Sequence, residues 1–172
     1  MTWTAPDVSR PSDILLAPEA VHLRNLLDWH RATLLHKCAG LDAEQLARTP
    51  LAFTNLSLLG LLRHMAKVER TWFRTLFRGE PLETLYSTAE WRDADFEGID
   101  PASAQSDYAL LIDETELARK AVATASMDDT FAFPDEDVAS LRYVYLQVIA
   151  EYARHNGHAD LLRQAIDGAK GV

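Results

Sequence analysis

Residues 141–166, LRYVYLQVIAEYARHNGHADLLRQAI, carry the pattern that decides the fold. Apolar side chains recur three and four residues apart, which is the spacing of one face of an amphipathic α-helix. The members of this stripe are Leu141, Val144, Tyr145, Val148, Tyr152, Ala159, Leu162 and Ile166. We therefore expect one long helix from about Val138 to Ile166, closed by Gly168 and packed through this face against other helices.

Three polar residues fall on or beside the apolar stripe. At 100° per residue His155 lies near its middle, Glu151 roughly 50° from its centre, and His158 near its rim. A carboxylate or imidazole facing a core is costly unless something pairs with it, and a divalent metal ion suits both. Because Glu151 and His155 are four residues apart, they are neighbours on adjacent turns. An ordinary helix-surface ion pair and a satisfied core histidine remain open as alternatives.

Length, composition and charge limit the class of protein. The 172 residues fit one domain with a substantial core, and the 48% hydrophobic and 25% charged fractions are ordinary for a globular protein. A net charge of −9 argues against nucleic-acid or anionic-membrane partners, which reward a basic face. The single cysteine, Cys38, excludes an internal disulfide framework and a thiolate metal cluster, and we interpret it as a packing residue.

No targeting or membrane signal is evident in the sequence. The first residues, MTWTAPD, lack a basic stretch followed by an apolar run, and no apolar run approaches the roughly 18 residues of a membrane span. Cytoplasmic localisation is the expectation. The cations Arg70, Arg74 and Arg78 recur every four residues, and we interpret them as a solvated helix face rather than a basic binding patch.

The remaining pattern divides the chain into an arm and one helical domain. Residues 1–17 are expected to form an extended N-terminal arm, and 18–168 the domain. Within the domain three more long helices are predicted. They run at about 18–38, from Asn55 or Ser57 (either of which can cap the helix) to about 77, and at about 101–125. Their apolar faces include Leu23, Leu26, Leu27 and Leu34 in the first helix and Leu58, Leu61, Leu62, Met65, Val68, Trp72 and Leu76 in the second. The predicted fold class is all-α, a four-helix bundle.

The segments between these helices are expected to be mostly irregular. Residues 43–47 suit one short helical turn, 80–100 a long crossing segment over one end of the domain, and 128–137 a polar connector. No convincing strand pattern and no internal repeat is found.

A metal site on the fourth helix needs a third ligand from another helix. His64 is the leading candidate, because an antiparallel arrangement brings its half of the second helix toward Glu151 and His155, and His30 is the reserve. Three protein ligands leave positions open for water or substrate, which is typical of catalytic zinc and also suits nickel, iron or manganese. No residue is assigned as a catalytic acid, base or nucleophile.

Two stretches resemble a known superfamily. Residues 58–73, LLGLLRHMAKVERTWF, resemble the second-helix signature of the DinB-like superfamily, and residues 140–163 resemble its fourth-helix signature. The similarity extends over about 18–168. More narrowly, the chain is similar to an actinobacterial branch described as mycothiol-transferase-like or of unknown function.

The resemblance implies a four-helix bundle with a divalent metal. In the family, one ligand lies on the second helix and two lie four residues apart on the fourth, which implies His64, Glu151 and His155 here. Many members have histidine at the position of Glu151, whereas a glutamate there resembles mycothiol-dependent maleylpyruvate isomerase. Relatives often have glutamine at the position of His158, which argues against that residue as a primary ligand.

Three functions are consistent with these observations. The first is a metal-dependent thiol transferase or isomerase that joins a low-molecular-weight thiol such as mycothiol to a small electrophile, with Arg154 or Arg163 as candidates for binding a carboxylate or sugar group. The second is a hydrolase using a metal-bound water. The third is a non-catalytic, stress-related metal-binding or interaction module, supported if His158 supplied a fourth ligand. Homodimers are common among the relatives, so a homodimer is also expected.

Overall fold

The computed structural model describes residues 3–170, and this part of the chain is mostly helical. The helices are α1 Glu19–Cys38, α2 Ala43–Ala47, α3 Leu58–Glu69, α4 Ala94–Glu97, α5 Ala104–Ala121 and α6 Leu141–Asp167. A π-helix, Arg70–Phe77, continues α3, and a 3₁₀ turn, Pro101–Ser103, leads into α5. The helices expected near 18–38, 43–47, 57–77 and 101–125 are therefore confirmed to within a few residues. Among residues 3–170, no helix combines the length and apolar character needed to cross a membrane.

Local side-chain chemistry explains where several helices begin and end. The Ser57 hydroxyl accepts a 3.0 Å hydrogen bond from the Gly60 amide, so Ser57 caps α3. The Ser140 hydroxyl caps α6 through the Tyr143 amide. Gly168 ends α6 with φ of 81°, a left-handed conformation that glycine adopts without the clash of a Cβ atom.

A short β-hairpin precedes α6. Strand β1, Thr130–Ala132, pairs with β2, Val138–Ser140, in antiparallel register. Our prediction that the chain lacks strands was wrong, and α6 begins three residues later than Val138. Strands of three residues are too short to show an alternating pattern. The pairing depends instead on the turn and on Phe131, whose ring lies 6.0 Å from that of Phe77 on the π-helix.

The long helices pack against one another around one apolar core. Helix α1 lies along α6, and α3 lies against α5 and α6. Two ring pairs, His64–His155 on α3 and Phe73–Tyr145 on its π-helical continuation, show that α3 and α6 run antiparallel. The α6 stripe is confirmed as buried from Leu141 to Leu162, with Ile166 at its edge.

Two of the apolar residues predicted on the apolar helix faces lie outside the core, Leu26 on α1 and Leu76 on the π-helix, where Phe73 is buried instead. Leu26 is 45% exposed, whereas its neighbour Leu27 is fully buried. Helix α1 is oriented about its axis so that Leu27, Arg31 and Leu34 face inward. The arginine accounts for the error on α1, because a charged residue is not expected to define a buried face.

Arg31 is buried because it pairs with a buried carboxylate. Its Nε and Nη2 atoms donate to the two Glu69 oxygens at 2.7 and 2.6 Å, and the Tyr152 hydroxyl donates to the same carboxylate at 3.0 Å. Glu69 is 0% exposed. A two-pronged guanidinium–carboxylate pair satisfies both ions, and this one joins α1, α3 and α6.

The arginine run on the π-helix also has a different role from the one expected. Arg70 Nη2 and Arg74 Nη1 donate to Glu114 of α5 at 2.5 and 3.0 Å, and Glu114 is 1% exposed. Only Arg78 lies on an exposed surface, as expected for the whole run. The interpretation of a solvated helix face was therefore wrong for Arg70 and Arg74, which neutralise a buried acid.

The segment 80–93 lies along α3 and the π-helix and is attached at several points. Lys67 Nζ donates to the Ser87 hydroxyl at 2.9 Å, and the Arg63 guanidinium lies 4.3 Å from the centre of the Tyr86 ring. Further along, Arg70 Nη1 donates to the Glu83 carbonyl at 3.2 Å. These contacts fix the position of an otherwise irregular segment.

The beginning of the N-terminal arm packs against the helical part of the chain. The Ala5 side chain is 2% exposed, and its amide donates to the Leu41 carbonyl at 2.9 Å. The Trp3 ring meets the edge of Tyr108 at a centroid distance of 5.9 Å. The boundary of the domain at residue 18 stays a prediction.

Candidate metal centre

Three side chains converge between α3 and α6. His64, Glu151 and His155 each present one ligand-type atom, and these atoms all lie within 4.8 Å of one another. Glu151 Oε2 is 3.8 Å from His64 Nε2 and 3.5 Å from His155 Nε2. Ligand atoms about 2.1 Å from a tetrahedral zinc ion are separated from one another by about 3.4 Å. The spacing of the three atoms therefore fits a single ion between them.

The antiparallel contact of α3 with α6 produces this convergence. Glu151 and His155 share a face of α6 because they are four residues apart. Across the contact, the His64 ring lies 4.6 Å from the His155 ring. The reasoning that placed His64 opposite this pair is confirmed by the positions of the side chains.

A buried carboxylate orients His64. Its Nδ1 atom donates to Asp95 Oδ2 at 2.8 Å, and Asp95 is 0% exposed. Lys67 Nζ lies 2.6 Å from the same oxygen. Burial by itself raises the pKa of the Asp95 carboxyl, but the hydrogen bonds from His64 and Lys67 outweigh burial and bring the pKa to about 2. Asp95 is therefore ionised at neutral pH and holds the proton of His64 on Nδ1.

The other ring nitrogen of His64 then points its lone pair toward the cluster. Nε2 is buried and has no hydrogen-bond partner within residues 3–170. A buried nitrogen without a hydrogen-bond partner is unfavourable, and binding a metal ion would give it one. Histidines that bind metals commonly donate their other ring N–H to a carboxylate, as His64 does to Asp95. This atom is the structural observation that best fits a bound cation.

His155 is held in its neutral form. Burial, followed by the charges of His64, His158 and Arg154, lowers the pKa of His155 to about 3. Its Nδ1 atom lies 3.3 Å from His158 Nδ1, while Nε2 faces Glu151. A neutral imidazole has a lone pair free to bind a metal, so protons do not compete for it near pH 7.

Glu151 lies where the cluster meets solvent. Its side chain is 24% exposed, and Arg154 Nη1 donates to Oε1 at 3.1 Å, leaving Oε2 for the histidines. On the other side the Phe96 ring stacks on His64 at a centroid distance of 4.8 Å. The cluster is thus sheltered by an aromatic ring and open beside Glu151.

Other candidate residues lie outside the cluster. His158 contacts His155 but is not among the three converging residues, and His30 contacts Asn156 instead. Arg163 donates to the Lys37 and Ala39 carbonyls at 3.0 and 2.8 Å, so it caps the end of α1. The Cys38 thiol is fully buried, and burial raises its pKa to about 12, which agrees with a packing role.

Sequence reasoning missed Asp95. It lies 31 residues from His64, in an acid-rich stretch that gave no periodic signal. One signal was present, because His64 and Lys67 are three residues apart on α3 and share a face. A histidine and a lysine on the same helix face predict a carboxylate from elsewhere in the chain that binds both.

No curated protein matches this chain. The family model described as mycothiol-S-transferase matches residues 22–168, a range that contains all three converging residues as well as Asp95. Because that match spans most of its length, the chain belongs to the mycothiol-S-transferase family, which is a DinB-like family.

Proposed function

We propose that this protein is a divalent-metal-dependent transferase that joins mycothiol to a small electrophile, with the metal held by His64, Glu151 and His155. The convergence of these three ligand atoms within 4.8 Å is the observation that carries the proposal. The proposal takes the long helices α1, α3, α5 and α6 as a four-helix bundle, and it names zinc as the first metal to test.

Each of the three residues suits its role. His64 presents Nε2 because Asp95 occupies Nδ1, and His155 presents a neutral Nε2. Glu151 contributes one oxygen while Arg154 binds the other. Two imidazoles and one carboxylate from the protein leave a coordination position for substrate, which is the pattern of catalytic zinc sites.

The reaction needs a sulfur nucleophile at neutral pH. A divalent cation held by His64, Glu151 and His155 would supply Lewis acidity that lowers the pKa of a thiol. In the transfer a sulfur–carbon bond forms, the bond from that carbon to its leaving group breaks, and the thiol proton passes to solvent. The protein orients the histidine ligand: Asp95 fixes the His64 ring, and Phe96 keeps water from one side of that ring.

Metal analysis and a transfer assay test the proposal together. The purified protein is expected to contain about one zinc ion per chain and to consume mycothiol in the presence of a fluorogenic alkylating electrophile. His64→Ala and His155→Ala are expected to lose both properties, since each removes one of three ligands. His36→Ala changes an exposed histidine of α1 outside the site and serves as the matched control.

The results distinguish the competing functions. Zinc binding without thiol transfer, but with ester hydrolysis that requires no thiol, would favour the hydrolase. Zinc retained in His64→Ala and in His155→Ala would contradict the proposed ligands. Zinc binding with neither activity would favour a non-catalytic module.

A further inference from the structure

A large groove is lined by Lys67 and Ser87, which contact the Asp95 carboxylate that orients His64. It has a volume of about 1090 Å³ and runs between α3 with its π-helical extension on one side and the segment 80–93 on the other. Ligand pockets commonly have volumes of about 300–1000 Å³, so this groove can hold far more than a small electrophile.

The groove continues the helix face that carries His64. Val68 lies one turn beyond His64, and Thr71 and Trp72 lie two turns beyond it, and all three line the groove. At a rise of 1.5 Å per residue these positions are about 6 to 12 Å from His64 along the helix. Two other lining residues, Lys67 and Ser87, contact Asp95, which orients His64. The groove therefore reaches the contacts that orient His64, and none of the three converging residues lines it.

The chemistry of the groove favours a neutral, hydroxyl-rich ligand. Hydroxyl side chains line it from both sides, namely Thr71, Thr84, Ser87 and Thr88. Hydroxyls donate and accept hydrogen bonds, so they match the hydroxyls of a sugar or polyol. At the far end Trp72, held by edge contacts with Phe133 and Tyr143, offers an aromatic surface to the apolar face of a ring.

The charges of the groove argue against an anionic ligand. Its two cations, Lys67 and Arg92, are matched by two carboxylates, Glu83 and Asp93. Lys67 is moreover paired with Asp95 at 2.6 Å. A phosphate-binding site usually has more cationic side chains than carboxylates, or free amide donors. The cations of this groove do not outnumber its carboxylates.

The groove is held open by contacts outside its hydroxyl lining. Arg63 stacks on Tyr86, whose hydroxyl donates to Asp107 at 3.0 Å, and Arg74 binds Glu80 at 3.0 Å. The segment 80–93 is thus fixed on both sides of the groove, so a ligand does not have to order it. Preorganisation of this kind reduces the entropic cost of binding.

We infer that this groove binds the sulfur-free, polyhydroxylated part of the thiol cosubstrate, so that the sulfur-bearing end extends toward His64 and Glu151. The inference rests on the proposed function. Mycothiol fits this description chemically, because its cysteine is attached to an aminosugar joined to inositol. The groove supplies affinity and orientation, and the three converging residues supply the reactive centre.

Calorimetric titration with N-acetylglucosaminyl-inositol, which is sulfur-free and keeps the sugar nitrogen as a neutral amide as in mycothiol, tests the groove without the metal chemistry. The protein is expected to bind this probe with the same Kd in its zinc-loaded and zinc-free forms. The double variant Thr71→Val, Thr84→Val removes two hydroxyls while keeping side-chain shape, and binding is expected to weaken by about tenfold or more. Thr124→Val, at an exposed threonine after α5, is the matched control and is expected to bind like the wild type.

Several outcomes would overturn the inference: no measurable binding of the probe, unchanged binding in the double variant, or displacement of the probe by inorganic phosphate. The single variants Thr71→Val and Thr84→Val, checked by circular dichroism, replace the double variant if it does not fold. Zinc content is measured separately. Probe binding without zinc uptake contradicts the proposed metal centre and leaves the groove supported, whereas zinc uptake and thiol transfer without probe binding contradict the groove alone.

Discussion

His64 and Asp95 form a 2.8 Å hydrogen bond from Nδ1 to Oδ2, with the aspartate side chain fully buried. The contact fixes both the orientation of the ring and the nitrogen that faces Glu151. Carboxylates in this position strengthen metal binding through the histidine although they do not touch the ion. Asp95 is therefore a positioning residue for the proposed site.

Replacing Asp95 tests this role. Asp95→Asn keeps the shape of the side chain but removes its charge, so the zinc affinity is expected to fall by about 10–100-fold while the helical fold is retained. Competition with a chromophoric chelator measures the Kd. Asp113→Asn, at an exposed position of α5, is the control and is expected to leave the Kd unchanged. Equal zinc affinities for Asp95→Asn and the wild type would remove Asp95 from the site.

Removing the buried carboxylate Glu69 is expected to destabilise the fold strongly. Glu69→Ala removes both hydrogen bonds of the buried pair and leaves Arg31 with only the partly exposed Asp28. Breaking a buried pair in this way costs about 3 kcal/mol of unfolding free energy. Urea unfolding followed by circular dichroism measures the change. The comparison is Glu116→Ala, which removes an exposed partner of Arg119, leaves its pair with Asp28, and is expected to cost less than about 1 kcal/mol. Similar losses for the two variants would contradict a structural role for the buried pair.

The Cys38 thiol is expected to be unreactive in the folded protein. Burial raises its pKa to about 12 from the ordinary value of 9.0, so at pH 9 about half of the thiols ionise in the unfolded chain and very few in the folded one. Alkylation by iodoacetamide between pH 7 and 10, followed by mass spectrometry, is expected to be slow in buffer and fast in urea. The difference is expected to widen as the pH rises toward 9. Rapid labelling of the folded protein would show that Cys38 is accessible.

The features that the sequence predicted are those encoded locally. The α6 stripe and the spacing of Glu151 and His155 depend on helical periodicity alone, and each is present in the structure. The placement of His64 opposite that pair needed one further assumption, an antiparallel contact, which holds between α3 and α6. Capping chemistry limited the start of the second predicted helix to Asn55 or Ser57 and the end of the fourth to Gly168. Ser57 and Gly168 are the caps in the structure.

The features that the sequence did not predict depend on partners distant in the chain. Two buried carboxylates are paired with arginines of other helices, Glu69 with Arg31 and Glu114 with Arg70. Each carboxylate can be buried because its arginine neutralises it. Periodicity places charged residues on the solvent side, so it cannot identify such pairs. Asp95 was missed for the same reason, since only the folded chain brings it to His64.

Two glycines of the same region are expected to respond in opposite directions to alanine. Gly157 lies inside α6 with open space where a Cβ would be, so Gly157→Ala is expected to raise the unfolding free energy by about 0.5–1 kcal/mol through helix propensity. Gly168 has φ of 81°, so Gly168→Ala places a Cβ in the left-handed region and is expected to lower stability by about 1 kcal/mol. Urea unfolding of both variants tests the pair. Gly157 is exposed and lies between His155 and His158 in sequence, and Gly157→Ala is also expected to leave the zinc content unchanged. A loss of zinc would mean that the backbone at this turn of α6 takes part in holding the site.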